Sequence, residues 1–464
     1  MGSKEKVMQN RYVVVLAAGQ GTRMKSKLFK VMHPVMGRPM VGHVVNAAID
    51  ADASEVITIT GHGAEVVRDY LGEKSQYVFQ EEQLGTAHAV MQAKDLLEGK
   101  EGTTLVLSGD TPLLRAETLQ QLMAFHEEEE AKATILTALA DDPFGYGRVI
   151  RTEDGLVSKV VEEKDASEDE KKVREINTGT YCFDNQALFQ ALEKVDNDNA
   201  QGEYYLPDVL EILKNDHEKV GAFQLDNMDE ALGVNNRVAL AEASRIMRER
   251  INEQHMTNGV SIIDPNSTYI EIDVEIARDT VVEPNTYIKG RTTIGEDAFI
   301  GLGSVISDSQ LADGVEIKQS VIEESIIGKN SDVGPNSHLR TGSVLGESVH
   351  IGNYVEVKKS TIGNLSKAGH HTYIGDAEIG VDVNVGCGVV VANYNGITKN
   401  KTIIRDNSFI GSNATLVAPV EVGANSFVAA GSTITKEVPA SALGIARARQ
   451  ENKEGFHERF FEKK

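Results

Sequence analysis

Aliphatic residues recur at every sixth position through long stretches of this chain: Val333, Leu339, Leu345, Ile351 and Val357, then Ile404, Ile410, Leu416, Val422, Val428 and Ile434. A period this short cannot be a helix pair. It is the repeat of a parallel β-helix, in which each face of a prism turns one aliphatic inward. Glycine follows the aliphatic at Ile294, Ile300, Ile327, Val333, Ile351, Ile374, Val385, Ile410 and Val422. Each buried aliphatic contributes about 1.5–3 kcal/mol, so a stack of coils is stable where one coil is not. The six-residue phase slips between Asn393 and Ile404, since Ile403 and Ile404 fall in adjacent registers. That slip predicts a protruding loop around Asn393-Tyr394-Asn395-Gly396.

Before about Gly259 the pattern differs. From Tyr12 to about Asp226, apolar runs (Val56–Thr60, Thr104–Leu107, Thr134–Leu139) alternate with helical patterns (Met40–Ala51, Thr86–Leu97, Ala116–Glu130). Such alternation predicts an α/β domain with a largely parallel sheet and helices on both faces. The charged stretch Asp229–Gln254 predicts one long helix joining two domains. The chain thus divides into residues 1–229, a linker helix over 230–251, and residues 252–464.

In open α/β sheets ligands bind at the carboxyl ends of strands. One such end is Val13–Lys30, VVVLAAGQGTRMKSKLFK, a strand entering a glycine turn beside Arg23 and Lys30. Gly19 and Gly21 begin a dinucleotide fingerprint that Met24 breaks, and no Gly-Lys-Ser/Thr closes a P-loop. The turn reads either as a phosphate cradle or as a solvated turn. A second end is Leu105–Asp110, where Asp110 is suited to Mg2+ or, with Thr111-Pro112 following, to capping a helix. In the second half, His370 of Gly369-His370-His371-Thr372-Tyr373 is either a proton acceptor for acyl transfer or one of a surface pair at a coil corner.

With 47 basic and 70 acidic residues the net charge is −23, which disfavours nucleic-acid polymers and anionic membranes. Cys182 and Cys387 are too few and too distant for a disulfide framework. No signal-peptide core or membrane span is evident, and Lys6 stands where a myristoylation motif starting at Gly2 needs Ser or Thr. The expectation is a cytoplasmic protein.

The run Leu16-Ala17-Ala18-Gly19-Gln20-Gly21-Thr22-Arg23-Met24, with Lys30 beyond it, resembles the signature of sugar-phosphate nucleotidyltransferases, although Phe29 stands where many members have proline. The resemblance implies a Rossmann-like fold in which the glycine turn covers the nucleotide phosphates and Arg23 and Lys30 neutralise them. It makes Asp110 and Asn235 the Mg2+ ligands, and Ser108 replaces a frequent aromatic. Gln80-Glu81-Glu82-Gln83-Leu84-Gly85-Thr86-Ala87-His88-Ala89 is similar to the family's uridine-contacting segment, implying that role for Gln80, Gly85 and Thr86, with His88 structural. Gly145–Arg148, Val161–Asp165 and Ile176–Gly179 resemble the sugar-recognition set of uridylyltransferases, implying that Gly147, Glu162 and Asn177 contact N-acetylglucosamine. Asn199–Tyr205 and Gly233–Arg237 match the same set.

In the second half, Lys367–Gly380, Asn393–Gly396 and Val417–Val420 resemble the acetyltransferase half of a bacterial family of bifunctional enzymes, and the resemblance spans Leu16 to Arg447. It implies a left-handed β-helix and a homotrimer with shared acyl sites. His370 becomes the general base. Arg340, Lys358, Tyr373 and Asn384 hold glucosamine-1-phosphate, and Cys387, Asn393, Tyr394, Ser412, Ala430 and Arg447 lie along acetyl-CoA. The product, N-acetylglucosamine-1-phosphate, would then react with UTP at the first half. Thr341 replaces a usual proline, and Cys387 with Val389 varies a usual Gly-Ala-Gly-Thr. Residues Ala446–Lys464 read as an arm reaching a neighbour or a frayed tail. The alternatives are a single-activity nucleotidyltransferase with a structural β-helix, such as an ADP-glucose or GDP-mannose pyrophosphorylase, and a non-catalytic scaffold of the same build.

Overall fold

A computed structural model describes residues 10–462 except 154 and 200. Gly2 and Lys6, Ala200 of the Asn199–Tyr205 motif, and the last two residues of the carboxyl-terminal arm lie outside the described residues. The chain divides into two compact units, Met1–Met247 and Arg248–Lys464.

The strands of the first unit's main sheet are β1 (Arg11–Ala17), β2 (Glu55–Thr60), β3 (Gln76–Phe79), β4 (Thr103–Ser108), β5 (Ala133–Leu139), β6 (Arg148–Arg151), β7 (Val157–Val161), β8 (Glu175–Asp184) and β9 (Val220–Gln224). Their order is β9-β5-β8-β4-β1-β2-β3, with β6 pairing both β8 and β7. β1 lies parallel between β4 and β2, and β8 is antiparallel to both β4 and β5. The sheet is therefore parallel around β1, where the glycine turn leaves it, and mixed beyond β4. Successive β1 residues serve opposite faces: Val13 and Val15 join one buried cluster, Tyr12 and Val14 the other. The helices include α1 (Met40–Asp50), α2 (Thr86–Met91), α3 (Lys94–Leu97), α4 (Ala116–Glu128), α5 (Asn185–Leu192), α6 (Asp208–Asn215) and α7 (Arg237–Thr257), and a further helix, Ala64–Leu71, adds Val67 and Leu71 to the cluster that holds Val13. Helices α1 and α4 cover the Val13 face, and α2, α5 and α6 the other.

Two expected helices are corrected. Thr86–Leu97 breaks into α2 and α3 because the Gln92 side chain donates to the His88 carbonyl (3.0 Å), the acceptor that its own N–H would use in a continuing helix. That N–H turns instead to Ala89. The long helix begins at Arg237, after a short 3-10 turn at Met228–Ala231, rather than at Asp229. Asn236 caps it, its Oδ1 accepting from Val238 N (3.0 Å) and Ala239 N (2.9 Å). Upstream, the Val234 N–H is bound to the Asp110 carbonyl (2.9 Å), which draws the segment out of helical geometry. The helix runs on to Thr257, and the division between the units falls within it, after Met247.

The second unit is a parallel β-helix, with stacked sheets of eleven, ten and nine short strands. Every one of the eleven aliphatics with which the repeat was identified points inward, none more than 5 % exposed. Small hydroxyls tie coil to coil at the corners: Ser331 Oγ donates to Gly346 O (2.8 Å) and accepts from Val349 N (2.9 Å). Tyr373 pairs with Val390, 17 positions on, but Glu378 pairs with Ile403, 25 positions on. The extra length emerges as an exposed loop over residues 394–399, where the phase slip places it.

Candidate active sites

In the first unit the candidate groups gather at the carboxyl ends of β1 and β4. After Ala17 the chain turns through Ala18 and Gly19 into a 3-10 turn at Thr22–Met24. Gln83 Nε2 donates to the Ala18 carbonyl (2.8 Å) and fixes that turn. Ser108, the last residue of β4, pairs with Leu16, so Asp110 emerges at the same edge. The cavity there, about 270 Å³, is walled by Leu16, Ala18, Gly19, Lys30, Gln80, Gly85, Thr86 and Asp110 of the expected set. Gln83, Ser108 and Glu203 also line it and were not assigned from sequence. Ala17 is buried at the strand end.

Charged groups converge at this cavity. Lys30 Nζ forms an ion pair with Asp110 Oδ2 and donates to Asn235 Oδ1 (2.7 Å), which also accepts from Arg23 Nη2 (2.8 Å). Two oxygens, one charged and one neutral, thus face a single cation position that the Lys30 ammonium now fills. Hard oxygen donors few in number suit Mg2+, which completes its shell with water and substrate phosphates. Gln80 Nε2 donates to His88 Nδ1 (3.0 Å), so His88 orients the glutamine. The Thr86 hydroxyl accepts from Leu206 N (2.9 Å) and holds the Tyr204–Leu206 segment across α2.

Gly147, Glu162 and Asn177 meet one another outside that cavity's lining. Asn177 is buried, its Nδ2 donating to the Tyr181 hydroxyl (2.7 Å) and its Oδ1 accepting from Gly179 N (2.9 Å). Burial, and then the charge of Asp165, raise Glu162 above the ordinary carboxylate range. Tyr146 is raised by burial, against a hydrogen bond with the Gly233 backbone, and the charge of Asp110 adds to the rise.

In the second unit the expected residues form two groups. Arg340, Lys358 and Gly375 occupy one register position on three successive coils. Arg340 Nη1 donates to Glu356 Oε1 (2.7 Å). The Lys358 ammonium, largely buried, lies 3.4 Å from Asp376 Oδ2, which also accepts from Asn393 Nδ2. A Cβ at Gly375 would lie 2.5 Å from the Tyr373 hydroxyl and 2.7 Å from Asn393 Nδ2 and would displace both side chains. Asp376 and Lys399 are assigned no role from sequence. The Lys358 ammonium beside Lys399, which lies in the protruding loop, holds Lys399 below the ordinary lysine range. Two ammoniums meeting beside one carboxylate suit an anionic ligand.

The second group is a column of exposed residues. The Cys387 carbonyl accepts from Asn413 N (2.7 Å), the Ser412 carbonyl from Gly431 N (2.8 Å), and the Ala430 carbonyl from Arg447 Nη1 (2.8 Å). His370 is exposed, and its carbonyl accepts from Gly388 N (3.4 Å), one residue beyond Cys387. His371 instead stacks on Tyr354, ring centroids 4.9 Å apart. Asn384 is half-buried on the sheet that also carries Lys367, and Tyr394 is exposed, its hydroxyl donating to Gly396 O (2.7 Å).

Residues 12–244 match the Nucleotidyl transferase family, residues 267–368 the GMPPB C-terminal domain, and residues 401–436 the bacterial transferase hexapeptide (six repeats). The chain is 58 % identical over 449 residues to a protein of Listeria monocytogenes serotype 4a (strain HCC23) named Bifunctional protein GlmU, covering 97 % of this chain and 98 % of that one. Proteins of the same name from Enterococcus faecalis (strain ATCC 700802 / V583) and Latilactobacillus sakei subsp. sakei (strain 23K) are 57 % and 56 % identical over 449 residues. They cover 97 % of this chain, which spans 98 % and 97 % of theirs.

Proposed function

The chain belongs to the GlmU family of bifunctional enzymes, and we propose how its residues divide the two reactions: acetylation of glucosamine-1-phosphate, then uridylyl transfer from UTP to the product, giving UDP-N-acetylglucosamine. The uridylyl reaction belongs to the first half (residues 1–229) and acetylation to the hexapeptide half (252–464), with 230–251 as the joint. The convergence of Arg23, Lys30, Asp110 and Asn235 on one point supports the first assignment most directly.

In uridylyl transfer, a phosphate oxygen of N-acetylglucosamine-1-phosphate attacks the α-phosphorus of UTP and pyrophosphate leaves. Arg23 and Lys30 stabilise charge on the triphosphate, Gln80, Gly85 and Thr86 hold uridine, and Gly147, Glu162 and Asn177 hold the sugar. Asp110 and Asn235 would hold Mg2+, which when bound neutralises phosphate charge. Lys30 then turns from Asp110 to the phosphates. The protein's contribution is position and electrostatics.

In acetylation, His370 takes the proton from the glucosamine amine as it attacks the thioester of acetyl-CoA, and the thiol of coenzyme A leaves. Arg340, Lys358 and Lys399 bind the sugar phosphate, with Tyr373 and Asn384 on the sugar. Cys387, Asn393, Tyr394, Ser412, Ala430 and Arg447 line the coenzyme. The exposure of His370 and the Cys387 column is what an acyl site shared between subunits of a homotrimer requires. Light scattering at three times the chain mass tests that state. We read the enzyme as cytoplasmic; no helix among the described residues is long and apolar enough to cross a membrane.

One purified preparation tests the whole reading. Thiol release from acetyl-CoA with glucosamine-1-phosphate, and Mg2+-dependent pyrophosphate release from UTP with N-acetylglucosamine-1-phosphate, are both expected. Pyrophosphate without thiol would reduce the β-helix to a scaffold.

A further inference from the structure

Arg148 opens β6 and is 2 % exposed, a position that costs several kcal/mol for an unpaired cation. Its Nη2 lies 2.8 Å from Glu163 Oε2 and donates to the Lys171 carbonyl (3.4 Å), while Nη1 donates to the Tyr146 carbonyl. The same Glu163 oxygen accepts the Gly145 N–H (3.2 Å). One ion pair therefore closes the Gly145–Gly147 turn from both ends.

The Tyr146 carbonyl belongs to the peptide that carries the Gly147 N–H. In a trans peptide the two point in opposite directions, so fixing the carbonyl fixes the aim of the N–H. Among the described residues that N–H has no acceptor. The Gly147 carbonyl accepts from Asn177 N (2.8 Å). A Cβ on Gly147 would lie 3.1 Å from Glu162 Oε1 and 3.5 Å from Asn177 Cβ. The turn is thus held against the two other side chains assigned to the sugar.

We propose that the buried Arg148–Glu163 pair is the positioning element of the sugar wall: it aims the Gly147 N–H at an oxygen of the acetamido sugar and so sets affinity for the sugar phosphate without touching it. This rests on the assignment of Gly147, Glu162 and Asn177 to the sugar. Lysine cannot replace the arginine, because only the planar guanidinium reaches the Tyr146 carbonyl, the Lys171 carbonyl and Glu163 at once.

The test is the pyrophosphate-release assay on the full chain, with KM measured separately for N-acetylglucosamine-1-phosphate and for UTP. Truncating a buried arginine invites misfolding, so the variants are Glu163→Gln and Arg148→Lys, with Asn177→Ala as a direct probe of the sugar wall. Acetyl transfer by the same preparations and their melting temperatures report folding. Glu163→Gln is expected to raise the sugar-phosphate KM about tenfold, leaving the UTP KM and kcat within about twofold. Arg148→Lys is expected to act in the same direction and more strongly, and the double variant to be no worse than Arg148→Lys alone. An unchanged sugar KM in both single variants, with Asn177→Ala raising it, overturns the proposal and leaves the sugar wall standing. Equal rises in both KM values with a fall in kcat also overturn it, since that is the mark of general damage. If Asn177→Ala leaves the sugar KM untouched, the sugar-wall assignment fails and the proposal fails with it.

Discussion

Lys30 reaches Asn235 across 205 positions of sequence and Asp110 across 80, whereas Lys358, Asp376 and Asn393 are separated by 18 and 17 positions, one coil at a time. Both clusters set cations against a carboxylate and an amide, and both suit a phosphate. In the first, the groups meet because crossover connections return β1 and β4 to adjacent places in a sheet, and the site is a cavity at their ends. In the second, they meet because a solenoid stacks each residue on its counterpart one coil away, and the site lies on the outer side of the coils, with Lys358 and Asn393 themselves buried. A packed sheet encloses its ligand groups by topology. A solenoid displays them by repetition.

If the units work separately, one substitution in each should split the activities. His370→Ala is expected to lower acetylation by about 10²–10⁴-fold, the range of a lost general base, and to leave pyrophosphate release unchanged. Asp110→Asn is expected to lower uridylyl transfer by about 10²–10³-fold without effect on thiol release. Kinetics of both reactions on each variant check this, and a loss shared by both activities in either variant would break the comparison.

A smaller effect distinguishes the two kinds of core. Ile57→Ala in β2 and Ile351→Ala in the β-helix each remove a fully buried side chain, at about 2–5 kcal/mol. In the solenoid each coil touches only its neighbours, so hydrogen exchange should rise mainly in the coils flanking Ile351. Around Ile57 it should rise across the whole sheet. Exchange that spreads along the entire β-helix would contradict the one-dimensional reading.

The smallest effect is a pH dependence of the first unit. Burial, with Asp196, Glu211, Glu162 and Asp165 nearby, raises Asp208 from 3.8 to about 6. Between those values the folded state holds more protons at Asp208 than the unfolded state, so this group's contribution to stability is greatest below about 3.8 and is lost as pH rises towards 6. Asp208→Asn should therefore stabilise the unit at pH 7.5 by about 1 kcal/mol, discounted because the side chain is only half-buried. The gain should vanish near pH 4. Urea titrations at the two pH values measure it, and a gain at pH 4 as large as at pH 7.5 would refute the assignment.

The two regions were also unequally legible in the sequence. A fixed repeat states which residues stack, so the inward aliphatics and the protruding loop followed from counting, including the slip at Ile403 and Ile404. Asp376 and Lys399 carry no role from sequence because they lie at a corner and in the inserted loop, where periodicity does not say which side chains meet. In the first half, strand and helix patterns gave the elements. The helix break at Gln92 and the cap at Asn236 depend on side-chain bonds that propensity does not register. Arg23, Lys30 and Asp110 stand out from the residues themselves with two readings each, which the family resemblance decides, whereas Asn235 is named through the resemblance alone, since nothing local to residue 30 indicates a partner 205 positions away. Arg148, quoted only as the end of the Gly145–Arg148 segment, is given no role from sequence because its burial is set by β7 and β8 together.

The most direct test of two separate sites is complementation. His370→Ala and Asp110→Asn preparations, each purified alone, are mixed with glucosamine-1-phosphate, acetyl-CoA, UTP and Mg2+, and UDP-N-acetylglucosamine is measured. Neither variant alone should form appreciable product, and the mixture should form it readily, the intermediate passing through solution from one variant to the other. A mixture as inactive as its components would contradict the account.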